Sequence, residues 1–242
     1  EAAEVIRRGD ADLMLAGGVE GVVHPVVVGA FTVMRVLASD NEHPEQACKP
    51  FDARRDGFVS AEGTEIMVLE RLDKALDRGA RIYAEVQGFS ANSDAFHAAI
   101  PDPEASGAIR VMTGALRNAG ASPTDIHYIN AHGPGTIVGD PGETKAIKAV
   151  LGDHAYNVPV SSTKSMVGHA LGGGGAIEAM ACVKTINEGI IHPTINYEVP
   201  DPDCDLDYVP NVAREADVPV TMSNSFGLGG QNACLILKRF EE

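Results

Sequence analysis

Apolar and polar residues along the chain sort into alternating helical and extended stretches. Residues 2–8 carry apolar positions at helical spacing and close on Gly9-Asp10. Residues 12–18 are a short apolar run ending in two glycines, which predicts a buried strand of a parallel sheet. Residues 25–34 are apolar but interrupted, and no single period types them. A loop rich in charge and glycine follows over 49–63, then a strand over 64–69 and a helix over 70–78 stopped by Gly79. Downstream the pattern predicts strands at 81–89, 127–130 and 158–161 and helices at 105–119, 141–151 and 173–188. The helix at 105–119 ends on Gly120, and the one at 173–188 is built of small residues. Strands at 219–223 and 233–238 flank a glycine-rich segment. Strands alternating with helices argue for α/β layers. A fresh strand after Gly79 marks a boundary between residues 1–80 and 81–242.

Composition narrows the function without naming it. The 242 residues are 44% hydrophobic with 26 glycines, enough for one large domain or two smaller ones. A net charge of −15 argues against nucleic acid as a partner, since a phosphate-binding surface needs a basic excess. An acidic partner can still dock on a local basic patch. Cys48, Cys182, Cys204 and Cys234 show no CxxC spacing and no surrounding histidines. That argues against a disulfide framework or a metal site and favours a reducing cytoplasm. No apolar run approaches the roughly 20 residues of a membrane span. The chain opens on Glu1 within a helical pattern, which leaves an N-terminal signal open.

Three glycine-rich segments hold the candidate chemistry. His132 follows a strand and precedes Gly133-Pro134-Gly135-Thr136, where a catalytic group or an ordinary surface histidine can sit. Lys164 and His169 flank a short turn, and Gly172 to Gly175 open a helix. Those glycines fit either an anion at a helix N-terminus or close packing on a neighbouring backbone, while the GxxxxGK[ST] pattern of a phosphate loop is absent. Phe226-Gly227-Leu228-Gly229-Gly230 joins two strands, as a plain hairpin or as a gate that supplies a backbone N–H.

In order and content these segments resemble the β-ketoacyl-[acyl-carrier-protein] synthases of the elongating, type II class. Further likeness lies in Lys49-Pro50-Phe51-Asp52, in Asn92-Ser93-Asp94-Ala95-Phe96-His97 and in Asp205-Leu206-Asp207-Tyr208. The resemblance spans essentially the whole chain. It implies a thiolase-like five-layer α-β-α-β-α fold, with residues 1–80 the end of the first half and 81–242 the second half. It further implies a cytoplasmic homodimer that condenses acyl and malonyl thioesters on acyl carrier protein. No cofactor of its own is implied, because the carrier brings the phosphopantetheine. His132 and His169 would stabilise the enolate, and Lys164, paired with Glu178, would order the site. Thr136 would bind the pantetheine, His97 would line the substrate pocket, and Phe226 and Leu228 would form the gate and oxyanion segment. The family's nucleophile is a cysteine about nine residues before Glu1, at a helix N-terminus. None of the four cysteines present takes that role: Cys48 lies in the charged loop, Cys182 within the small-residue helix, Cys204 in a surface-like acidic loop and Cys234 in the last strand.

Two positions depart from the family pattern. Pro134 stands where a threonine is usual, and Leu228 where a second phenylalanine is usual. A polyketide ketosynthase and a non-catalytic chain-length factor are the rival readings. Retention of His132, Lys164 and His169 speaks against the second, and a thiolase would need a further cysteine in the last glycine-rich loop.

Overall fold

A computed structural model describes residues 1–241. The helices are α1 (Ala2–Arg7), α2 (Pro25–Met34), α3 (Leu72–Asp77), α4 (Ser106–Ala119), α5 (Gly139–Leu151), α6 (Lys164–Val167) and α7 (Leu171–Glu188). The strands are β1 (Leu13–Glu20), β2 (Gly63–Glu70), β3 (Glu85–Ser93), β4 (Tyr128–Asn130), β5 (Val160–Ser161), β6 (Ile190–Ile191), β7 (Arg214–Glu215), β8 (Val220–Gly227) and β9 (Gln231–Lys238). A five-stranded sheet has the order β3-β9-β8-β4-β5. In it β4 runs parallel to β5 and β8, while β9 is antiparallel to β8 and β3.

Strand alternation sorts the core into two faces. On β9, Cys234 and Ile236 join the cluster built on α4 and α5, with Val111, Met112 and Ile147. Leu235 and Leu237 face the other way, toward Cys182 and Ile186 of α7. The far side of α7 packs on the antiparallel β1–β2 pair. The layers therefore run helix, sheet, helix, sheet, with α7 between the two sheets.

The glycine run at the start of α7 makes this stacking possible. A Cβ on Gly173 would come within 2.7 Å of the Gly63 carbonyl oxygen, so only a residue without one lets the helix lie on β2. Close packing thus accounts for Gly173 of that run.

Three local expectations are corrected. The segment at 12–18, expected in a parallel sheet, pairs antiparallel with β2 in this chain. The strand predicted at 81–89 begins instead at Glu85, and residues 25–34 form a helix on which no residue is buried. Cys204, read from its acidic neighbours as surface-like, is buried in the core beside Leu206 and Tyr208.

Candidate active site

Parallel strands β4 and β5 end side by side, and the chain leaves each end into a loop carrying chemistry. Asn130 opposes Ser161 in the register. Two residues past Asn130 comes His132, and three past Ser161 comes Lys164 at the first turn of α6. Gly168 then turns the chain, and His169 lies just before α7. Gly133 has φ of 32°, and a Cβ there would sit 2.9 Å from both Phe51 and Ser162. The residue after His132 must therefore be glycine for this loop to close.

The structure brings His132, His169, Lys164, Glu178 and Phe226 into one cluster. The two imidazole rings stand 5.3 Å apart at 80°, and the Phe226 ring is 5.8 Å from His132. Lys164 is buried and donates to Glu178, to the His132 carbonyl at 2.6 Å and to His132 Nδ1 at 3.3 Å. An amine of this kind only donates, so His132 Nδ1 is the acceptor and its proton resides on Nε2. His169 Nδ1 accepts from the Leu171 N–H at 3.2 Å, which leaves that ring's proton on Nε2 as well. Both rings thus present an Nε2–H donor.

Electrostatics keep the rings neutral. Enclosure by protein, then the Lys164 charge, holds the His132 pKa well below its ordinary value and brings that of His169 down to about 3. Burial pushes the Glu178 carboxyl up, opposed by Lys164. Ser225 donates to the other Glu178 oxygen at 3.3 Å, tying the ion pair to the strand that leads to Phe226.

A pH test follows. Between about pH 3 and the ordinary histidine pKa, the unfolded chain binds more protons at His169 than the folded one. This group's contribution therefore makes stability rise with pH across that window and level off above it. Asp140, raised by burial to about 7, has the opposite sign. The measurement is hence a difference: the urea midpoint of His169→Gln should climb less steeply than that of the unaltered protein. Parallel profiles would refute a neutral, enclosed His169.

Two buried carboxylates to which the sequence reading assigned no role build the His132 loop. Glu143 accepts from the backbone N–H of His132 at 2.9 Å and of Gly133 at 2.8 Å, and from Asn224 at 3.1 Å. Asp140 accepts from Gly135 and Thr136, both at 3.1 Å, and from Phe51 at 2.8 Å. Both acids lie in the first turns of a helix just after a glycine-rich loop, and that spacing was the available signal.

Other expected site residues make contacts of their own. The Thr136 hydroxyl accepts from Gly139 N–H at 3.1 Å at the start of α5, which leaves its own proton to donate elsewhere. Leu228 is 47% exposed in the β8–β9 turn. His97 is exposed, and its Nδ1 accepts from the backbone of Ala99 and Ile100 at 3.0 and 3.1 Å. Its neighbour Ala98 receives the Gly229 N–H, so this loop rests on the same turn. All four cysteines are buried and free. Desolvation pushes the thiols of Cys48, Cys182 and Cys204 up to about 12 and raises that of Cys234, the reverse of what a nucleophile needs. No cluster suited to a metal ion and no helix long and apolar enough to cross a membrane occurs among the described residues.

Known proteins resemble this chain in sequence and fold. The chain is 50% identical over 238 residues to 3-oxoacyl-[acyl-carrier-protein] synthase 2 of Coxiella burnetii, an alignment that takes in 98% of the chain. It is 48% identical over 241 residues to the protein of the same name from Synechocystis sp., over 100% of the chain. The chain spans 58% of the length of each of these curated relatives. Among solved structures, a type II PKS acyl-carrier protein in complex with its ketosynthase bound to the hexaketide superposes with a TM-score of 0.96. That match is 40% identical and covers 99% of this chain and 59% of the other. A beta-ketoacyl synthase from Burkholderia phymatum gives 0.93 at 41% identity, covering 99% and 58%. The fold is that of the thiolase-like ketosynthases. The model of the beta-ketoacyl synthase N-terminal domain matches residues 1–75 and that of the C-terminal domain residues 83–198. With the two domains following one another along it, this chain belongs to the beta-ketoacyl synthase family.

Proposed function

We propose that this chain carries the malonyl-activating part of a condensing enzyme of fatty-acid elongation, acting on acyl and malonyl thioesters of acyl carrier protein. The observation that carries this reading is the pair of neutral imidazoles, ring centroids 5.3 Å apart, each with Nδ1 engaged and Nε2–H presented. Decarboxylation breaks the bond between the malonyl carboxylate and its α-carbon. The electron pair stays on the α-carbon and spreads to the thioester oxygen, and carbon dioxide leaves. Two N–H donors at that oxygen stabilise the charge where it develops. The enolate carbon then attacks an acyl thioester, forming the new C–C bond and expelling the thiolate that held the acyl group. A backbone N–H at Leu228 would receive the oxyanion of that attack.

The acyl-holding thiol belongs, on this reading, to the part that the longer relatives have beyond this chain, since the cysteines here are buried and hard to ionise. A cytoplasmic homodimer is part of the same proposal, and sedimentation of the full-length protein checks its size. The test of the reaction is to supply that protein with acyl and malonyl carriers and follow carbon dioxide and 3-oxoacyl carrier together. Absence of both overturns the proposal. A polyketide ketosynthase is the second reading, favoured by the superposition on a type II PKS ketosynthase. Repeated extension from malonyl carrier without intervening reduction would select it.

Leu228 bears on acyl preference. Its side chain is smaller than the phenylalanine usual in the family and stands 47% exposed in a turn. Less apolar area has to move when the gate opens, so opening should cost less. Leu228→Phe in the full-length enzyme should sharpen the dependence of kcat/KM on acyl length without abolishing turnover, because the backbone N–H is kept. Identical profiles would show that Leu228 is no gate.

A further inference from the structure

His192, which the sequence pattern did not single out, sits where four polar side chains from β4, β5 and the Lys164 turn converge. It follows β6 and reaches under the ends of the two parallel strands. Its Nε2 lies 3.0 Å from the Tyr128 hydroxyl, 3.1 Å from Thr163 Oγ1 and 3.2 Å from Asn130 Nδ2. Ser161 Oγ lies 3.3 Å from Nδ1 and 2.8 Å from the Tyr128 hydroxyl. Asn130 also donates to Thr163 Oγ1 at 2.8 Å, directly across the gap between the strands. Every one of these partners is buried, and Asn130 Oδ1 has no partner at all.

The placement of these partners matters more than their number. Asn130 is two residues before His132, and Thr163 immediately precedes Lys164. The 3.3 Å contact from Lys164 Nζ to His132 Nδ1, which fixes the His132 proton on Nε2, therefore depends on how the two strand ends stand relative to each other. His192 Nδ1 lies 3.2 Å from the Pro193 carbonyl, an acceptor, so its proton resides on Nδ1 and its Nε2 lone pair faces the cluster. A neutral imidazole there accepts from Asn130, Thr163 or Tyr128 and closes the network. Enclosure keeps it neutral, lowering its pKa.

We infer that His192 is a positioning residue of the condensing site: through Asn130 and Thr163 it holds the ends of β4 and β5 in the register that sets Lys164 against His132. The inference rests on the reaction proposed above for its kinetic readout but not for its structural one. A leucine at 192 would leave Asn130 only Thr163 Oγ1 at 2.8 Å and the Tyr128 hydroxyl at 3.3 Å as acceptors, and would leave one hydroxyl proton without an acceptor in a closed space.

The experiment uses the full-length protein with His192→Leu, His192→Met and His192→Gln. Glutamine keeps an acceptor at similar reach, whereas the other two remove it. In the apolar variants kcat for malonyl decarboxylation should fall about tenfold or more, with KM for the malonyl carrier within about twofold, because no contact with the carrier is removed. Nitrogen-15 NMR of the His132 ring should show loss of the pure Nε2–H form. Glutamine should restore both. A residue that only supported the fold would lower Tm while leaving kcat of the folded protein and the His132 signature alone. A folded apolar variant with unchanged kcat and unchanged His132 ring shifts overturns the inference. If neither apolar variant folds, the glutamine variant decides: folded but equally slow, it overturns the inference, and near-normal turnover with an Nε2–H His132 supports it. If the unaltered enzyme does not decarboxylate malonyl carrier, the reaction proposal fails, and the NMR comparison still decides the role of His192.

Discussion

Replacing His132 or His169 by alanine in the full-length enzyme should slow malonyl decarboxylation on the order of 10²–10³-fold for each change. Acyl transfer to the nucleophile should fall far less. The asymmetry follows from where charge develops. On the proposed mechanism, acyl transfer places its oxyanion at backbone donors, whereas decarboxylation places negative charge on the malonyl thioester oxygen, at the two Nε2–H groups. These donors are fixed in advance, because Lys164 and the Leu171 N–H occupy the Nδ1 positions. Neither ring has to reorganise during reaction, and their depressed pKa values keep them from exchanging donor for cation. Carbon dioxide release and acyl-enzyme mass, measured on the same preparations, check the prediction. Decarboxylation surviving both changes at near full rate would mean that the donors are elsewhere.

Glu178→Leu should cost about 3–5 kcal/mol of folding stability, because it leaves the buried Lys164 without its counter-charge. A typical domain has only about 5–15 kcal/mol in total, so this variant should be close to unfolding at physiological temperature. The double variant Lys164→Met with Glu178→Leu should regain most of that loss, since a matched apolar pair removes both desolvation penalties. Its decarboxylation rate should stay low, because nothing then donates to His132 Nδ1 and the ring is free to carry its proton there instead. Stability returning without activity is the diagnostic result. Denaturant titration of the three proteins, with carbon dioxide release from each, provides the check. A single variant within about 1 kcal/mol of the unaltered protein would show that the buried charge is not sustained by this pair.

Where local order dominates, the sequence was a good guide. Helices α4, α5 and α7 follow from apolar spacing and terminal glycines, signals written within one element. Strands β4 and β5 follow from short apolar runs that end in loops, and those loops hold His132 and Lys164. The pairing of strands was out of reach in this way. The run at 12–18 reads as a strand of a parallel sheet, yet β1 pairs antiparallel with β2. Which face is covered depends on what packs there, and α7 comes from more than a hundred residues downstream.

The same division holds at the site. Residue types in glycine-rich settings singled out His132, Lys164 and His169 as candidates, because family motifs are local in sequence, and the structure brings the three together. Only tertiary contacts decided how those residues act. The proton on each ring is set by a neighbour on another element or across a turn, and the loop geometry is held by Glu143 and Asp140 reaching back from α5. His192 gave no signal in the chain, since its partners lie between 29 and 64 positions away. The sequence determined which chemical groups are present and which elements carry them. The packing of parallel strand ends determined their separation, their protonation and their shielding from water, for these depend on distance and dielectric rather than on residue type.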